Sequence, residues 1–349
     1  MNYNNKSVLL VAPVFGGFYE SIKAALIKQG AKKVFFIENR HFFLNITSTH
    51  GSFKLLRKIY YFIMQPAKRY SSQIIKSQSL NEKYDICICI QDHCLHSSFF
   101  EYLRKVNPKI TIILYLWDPI EMYNCLHNRK FFDKIVSFDI ADCEKYDIKY
   151  LPNFFIFEKF DNPKKKNIQT DLFFVGSQYG DRYTILSSVF NNLKNKVNLD
   201  FKLLIRDKQK FHSFILYKMF KFFKLSMKYQ LTYELLEKKK KDSFLIYENI
   251  SRDVVFQKLI DSKCILDIQY EYQAGISQQS MLAIALGKKI ITTNQHFKDT
   301  IFYSDQIFII DRNKPMIPID FINNEIQVNI NPNIWDYEIN NWVIKLLND

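Results

Sequence analysis

Glycine is scarce in this chain, with 8 residues among 349, and proline contributes only 9. Loops must be few and economical, and a low-complexity or collagen-like chain is excluded. No apolar run reaches the roughly 18 residues that cross a bilayer. The opening stretch MNYNNKSVLLVAPVFGG lacks an early charged region and a small-residue cleavage site. It reads as a strand before a glycine turn, not as a signal peptide. Acidic residues are outnumbered, 35 Asp and Glu against 49 Lys and Arg, for a formal net charge of +14. Such a balance favours anionic partners. Nucleotide phosphates and anionic lipid headgroups come before nucleic acid, because the basic residues are concentrated in particular segments and no nucleic-acid module signature is present.

The six cysteines, Cys87, Cys89, Cys94, Cys125, Cys143 and Cys264, do not form a metal-ligand spacing. Cys87 and Cys89 alternate in the apolar run DICICI, so on a strand they share a face as small hydrophobes. Zinc held by His93 and Cys94 is the sharper alternative, but it lacks a second ligand pair. Reduced thiols of the cytoplasm are the expected state.

Apolar residues make up 48% of the chain, with 32 Phe and 21 Tyr, enough for two domains of ordinary size. The run SVLLVAPV, the Gly16 and Gly17 turn, the amphipathic ESIKAALIKQGA and then VFFIENR form a β-α-β unit. The glycine pair falls short of a full dinucleotide fingerprint. Residues 52 to 80 read as basic helix, YDICICI as a buried strand, SSFFEYLRKVNP as a helix and ITIILYLW as a strand. Strand and helix go on alternating through residue 157. Residues 158 to 170, with a proline and a lysine run, are expected to link this first domain to a second over 171 to 330. The second domain opens with TDLFFVGS, DRYTILSSVFNNLKN and LDFKLLIR. Residues 208 to 241, rich in Lys, Phe and Tyr, interrupt it as a basic helical insertion suited to an anionic membrane surface or to a solvated helical pair. Residues 331 to 349 are expected to form a helix packing back across the linker.

The most informative stretch is Tyr272 to Asn294, YQAGISQQSMLAIALGKKIITTN. A loop through Gly275, Ile276 and Ser277 enters an apolar helix that stops at Gly287 and gives way to a strand. Free N–H groups at the start of such a helix suit a diphosphate.

Six ordered segments carry a resemblance over nearly the whole chain: LYLWDPI (114 to 120), FDKIVSFDIADCEKYDIKYLPNFF (132 to 155), DLFFVGSQYGDRYTIL (171 to 186), SKCILDIQ (262 to 269), GISQQSMLAIALGKKIITTN (275 to 294) and FYSDQIFIIDR (302 to 312). In these the chain resembles bacterial lipopolysaccharide and capsule biosynthesis glycosyltransferases of the GT-B type, whose relatives include spore-coat proteins. The resemblance implies an α/β fold of two Rossmann-like doubly wound domains facing across a cleft. It also implies sugar transfer from a nucleotide-sugar to a glycolipid or oligosaccharide acceptor, with no required cofactor and no obligatory metal. The protein would work in the cytoplasm, peripheral to the inner face of the membrane, and without nucleic acid.

On that resemblance the second domain holds the donor. Gly176 and Ser177 approach a phosphate through backbone N–H groups, Arg182 pairs with the diphosphate, and Gly275, Ser277, Gln278 and Gln279 supply further donors. The base for an inverting transfer comes from the first domain: Asp118 first, then Asp92 with His93, then Glu20, all at expected strand or turn ends facing the cleft. Asp139 is a further candidate, although a helix cap explains it. Retaining chemistry needs no such base. Relatives carry Arg and Glu in a pattern like GLTMRTIE where this chain has Gln279 and Leu282. An alternative follows: a non-catalytic relative that binds glycan or a partner transferase.

Overall fold

A computed structural model describes residues 4–39, 63–77, 80, 82–92, 94–123, 126–157, 168–205, 218, 234–235, 242–325 and 330–348. Outside the described residues lie His93, residues 52–62 of the basic segment, residues 158–167 of the expected linker and nearly all of the 208–241 insertion.

The first half runs β1 (Ser7–Ala12), α1 (Phe18–Lys28), β2 (Lys33–Glu38), α2 (Pro66–Lys76), β3 (Ile86–Ile90), α3 (Ser97–Val106), β4 (Thr111–Leu116), α4 (Ile120–Tyr123), β5 (Lys134–Ser137), α5 (Ile140–Tyr146) and β6 (Lys149–Tyr150). Its six strands lie in the order β2-β1-β3-β4-β5-β6, and every pairing is parallel. Helices cover both faces. Val8, Leu10 and Ala12 pack towards α1, while Leu9 and Val11 face Phe99, Phe100 and Leu103 of α3. This two-sided burial explains why β1, β3 and β4 read as continuous apolar runs and not as alternation. Cys87 and Cys89 are both buried on the α3 side.

The second half runs β7 (Thr170–Ser177), α6 (Arg182–Leu193), β8 (Leu199–Leu204), β9 (Leu245–Ile246), α7 (Arg252–Ile260), β10 (Ser262–Asp267), α8 (Gln278–Ala285), β11 (Lys289–Thr292), β12 (Ile307–Ile309), α9 (Ile319–Asn323) and α10 (Ile339–Asn348). Its parallel sheet has the order β12-β11-β10-β7-β8-β9. Counted from β7, that is the doubly wound order 3-2-1-4-5-6 read from its other edge. The strand order reverses between β1 and β3 in one sheet and between β7 and β10 in the other. Ligands of open α/β sheets bind outside the strand carboxyl ends at such points.

The last helix belongs spatially to the first half. Trp342, Val343, Leu346 and Leu347 of α10 are buried in the same core as Ile22 and Leu26 of α1. Trp342 Nε1 donates to Pro152 O at 3.1 Å, and Lys134 Nζ donates to Leu346 O at 2.6 Å. The chain crosses between halves where Phe155 and Ile339 exchange backbone bonds with Tyr337 and Phe155 at 3.0 and 2.9 Å. Among the described residues, no helix is long and apolar enough to cross a membrane.

Candidate functional site

Ser277 caps α8, accepting at Oγ from Ser280 N at 3.1 Å. Its hydroxyl then donates to Ser280 Oγ, and Ser280 donates to Asp267 Oδ2 at 2.9 Å, so the cap is tied to the end of β10. Burial holds the Asp267 carboxyl above the ordinary range, opposed by the Ser280 bond and the Arg182 charge. The amides of Gln278 and Gln279, in the first turn of α8, have no intrahelical acceptor. Gln279 also carries a buried Nε2 with no hydrogen-bond partner. Leu282, one turn on, packs against the apolar cluster of Met281, Ile284 and Phe297.

The structure gives Arg182 and Gly176 other work than binding a phosphate. Arg182 is buried, its Nε donates to Ile268 O and its Nη1 to Ser177 O, both at 2.7 Å. Nη2 donates to the Tyr179 hydroxyl and again to Ile268 O, and the guanidinium lies 3.9 Å over the Tyr179 ring. With these donors engaged, Arg182 locks the carboxyl ends of β7 and β10 together. Gly176 lies inside β7, paired with Leu203, and not in a turn beyond it. A Cβ there would stand 2.9 Å from Arg182 Nη1, so the glycine makes room for that side chain. Ser177 ends the strand and presents its carbonyl to the same arginine.

Gly275 is likewise committed. Its N–H donates to Asp139 Oδ2 at 3.0 Å, and Ala274 N donates to the same oxygen at 2.7 Å. Asp139 is the cap of α5, its Oδ1 accepting from Ala141 N and Asp142 N at 3.1 and 3.2 Å. It therefore serves as a cap and as a link between halves at once. Asn153 Nδ2 adds a second link to Ile276 O at 3.1 Å.

On the first half, Asp118 follows β4 and Asp92 follows β3, across the strand-order reversal from β1. Burial pushes the Asp118 carboxyl up to about 6, against hydrogen bonds from Gln91 and Trp117. Gln91 holds a left-handed φ of 62°, and its Nε2 reaches Asp118 O at 3.4 Å. A non-glycine residue there costs roughly 1 kcal/mol or more, and such strain clusters at functional sites. Asp92 is fully buried, and His127 Nδ1 lies 3.8 Å from its Oδ2. Burial raises it to about 6, opposed by His127 and by hydrogen bonding from Asn128. Glu20 is exposed in the first turn of α1 and accepts at Oε1 from Tyr19 Oη at 2.9 Å.

The Tyr179 phenol is raised mainly by burial, held down by the Arg182 charge and raised further by Asp267 and Asp118. Tyr270 is raised by burial and further by Tyr272 and Glu121. Tyr179, Tyr270 and Tyr272 form a chain of ring contacts at 5.9 and 5.6 Å, ending at Tyr272, which is 60% exposed. The structure brings Arg182 and Tyr179 into direct contact and leaves Glu20 in the first turn of α1. Sequence reasoning passed over Arg312, which grips Asp181, and Asn153. Only its place in the segment FYSDQIFIIDR pointed to Arg312.

No family model matches the chain, and no curated protein does. Among solved structures it is similar to an α-glucosyltransferase in complex with UDP and a 13-mer DNA containing a HMU base, with a TM-score of 0.52 and 10% identity over 89% of this chain and 88% of that one. Looser likenesses are the apo lipopolysaccharide outer core galactosyltransferase WaaB (TM-score 0.39, 14% identity, 82% and 80% covered) and Acinetobacter baumannii MurG (0.35, 11%, 91% and 89%). At such identities the likeness speaks for architecture alone. Two parallel six-stranded sheets, each doubly wound, give the chain the GT-B fold.

Proposed function

We propose that the chain is a glycosyltransferase that moves a sugar from a nucleotide-sugar to a lipid-linked or oligosaccharide acceptor in lipopolysaccharide, lipooligosaccharide or capsule assembly. The observation that carries this reading is Gln279 Nε2, a buried donor without a partner on the first turn of α8. An orphaned buried donor costs about 1–3 kcal/mol, which an acceptor oxygen of a bound ligand would recover. Together with the two open amides of that turn, it suits a diphosphate.

In this reading the nucleotide lies on the second half and the acceptor on the first. Asp118 takes the proton of the acceptor hydroxyl, whose oxygen bonds to the anomeric carbon as the bond to the diphosphate breaks. The departing charge falls on the α8 amides and Gln279. The exposed ring of Tyr272 suits a sugar ring, which offers a C–H face to it. The excess of basic charge supports work at an anionic membrane surface on the cytoplasmic side.

The test is incubation of the full chain with uridine, guanosine and cytidine sugar nucleotides and a lipooligosaccharide acceptor. Acceptor-dependent release of nucleoside diphosphate is expected, and its absence across the panel counts against the reading. Because the similar α-glucosyltransferase is described with DNA, a duplex DNA acceptor belongs in the panel, and glycosylation of it alone would replace the glycolipid assignment. A non-catalytic subunit would bind nucleotide or glycan and release nothing.

A further inference from the structure

We infer that Asp139 is a positioning residue that hangs the donor helix α8 from the first half of the molecule, so that nucleotide binding and transfer depend on a carboxylate that touches neither substrate. This rests on the reading of α8 as the donor site.

A helix cap needs one acceptor oxygen, and Oδ1 of Asp139 supplies it to Ala141 and Asp142. Oδ2 is surplus to the cap. It accepts instead from Ala274 and Gly275, 135 and 136 residues away in sequence, and the side chain is 1% exposed. Four N–H donors on one buried carboxylate make charge-assisted bonds that water cannot replace. The neighbouring residue adds a steric fit: a Cβ on Gly275 would stand 2.4 Å from the Phe138 ring. Asn153 holds Ile276 O at 3.1 Å, and Asn294 Nδ2, from the second half, holds Ala274 O at 3.0 Å. Every peptide from 274 to 276 is thus gripped from outside the loop, and Ser277, the cap of α8, comes next.

Register links this clamp to the proposed chemistry. Leu116 of β4 pairs with Ser137 of β5, so Asp118 and Asp139 each stand two residues beyond a matched pair of neighbouring parallel strands. One sheet end therefore presents the candidate base and the clamp side by side. Fixing the loop before α8 to that end fixes the distance between base and leaving group. Displacement of about 1 Å in such an arrangement can cost on the order of 100-fold in rate.

Asp139→Asn isolates the effect. The carboxamide keeps one acceptor oxygen for one pair of amides and turns an NH2 against the other pair. Hydrogen exchange at Ala274 and Gly275, affinity for UDP, GDP and CDP, and transfer kinetics are compared with the parent and with Val189→Ala, a core variant on α6 that loses stability without touching the loop. The expected result is exchange at least about 10-fold faster at those amides, with affinity for the bound nucleotide or kcat lowered about 10-fold, while Val189→Ala keeps both. If Asp139→Asn does not fold, Asn153→Ala removes the second link alone, since Tyr115 Oη keeps the Leu151 and Pro152 carbonyls as acceptors. A parent that binds nucleotide and variants that bind and turn over as it does overturn the role of Asp139 and leave the donor site standing. A parent that binds none of the three overturns both.

Discussion

Arg312 holds Asp181 in a bidentate grip, Nε to Oδ2 at 2.7 Å and Nη2 to Oδ1 at 2.5 Å, and the same Nη2 donates to Gln269 O at 3.0 Å. The residue just past β12 thereby ties the start of α6 to the loop after β10. Lysine cannot reproduce the fork. Arg312→Lys is expected to lower unfolding stability by about 1–2 kcal/mol in a urea titration. An unchanged midpoint would mean that the pair is idle.

Arg182 makes a stronger claim. Its donors close over the carbonyls of Ser177 and Ile268, and its charge offsets the buried Asp267. Arg182→Met leaves those carbonyls without their donor and removes the charge that offsets Asp267, and a loss of about 3–5 kcal/mol is expected. A phosphate ligand on the surface would instead lose nucleotide affinity at constant stability. Thermal unfolding measured beside nucleotide titration separates the two.

Much of the fold was legible from residues alone. SVLLVAPV, YDICICI and ITIILYLW announce two-sided parallel strands because both faces are covered, and the cap Ser277 stands where a helix start was expected. Two elements are too short for a sequence pattern to show: β9 is a two-residue strand beside Leu203 and Leu204, and α9 is a five-residue helix. The site was legible as a region and not as a set of contacts. Gly176 and Gly275 were expected to offer N–H groups to a phosphate, whereas the space beside them holds Arg182 and Phe138 and the Gly275 N–H donates to Asp139. The partner of the Gly275 amide lies 136 residues away, and no local pattern encodes such a pairing.

The close approach at Gly275 predicts a rescue. Adding a methyl group against the Phe138 ring and carbonyl overpacks the junction. Gly275→Ala should cost about 1–3 kcal/mol. Phe138→Leu combined with it should recover part of that loss, so the double variant is more stable than the sum of the singles. Simple additivity would show that the contact is not the cause.

Asp92 predicts an inverted stability response. Burial raises its folded pKa to about 6, above that of the unfolded chain, so the folded state binds the proton more tightly. Its favourable contribution is complete below about pH 4 and is lost as pH climbs through about 6. Asp92→Asn should therefore stabilise the protein near pH 8, on the order of 2 kcal/mol, and make little difference near pH 4. Denaturant titrations at the two pH values check this, and a variant less stable at both would mean that the carboxylate is compensated.

Gln279 and Leu282, the two positions that depart from the relatives' pattern, stand three apart on α8. Gln279→Leu removes the orphaned buried amide, so it should stabilise the free protein while weakening nucleotide binding. Leu282→Glu sets a carboxylate into the Met281 and Ile284 cluster. Alone it should destabilise, and paired with Gln279→Arg it should regain stability through an i, i+3 contact. The most direct measurement is calorimetric titration of the parent and of Gln279→Leu with uridine, guanosine and cytidine sugar nucleotides. Saturable binding of at least one by the parent, weakened about 10-fold or more in the more stable variant, is predicted. No binding of any by the parent, or equal binding by the two proteins, would contradict a nucleotide seated at the start of α8.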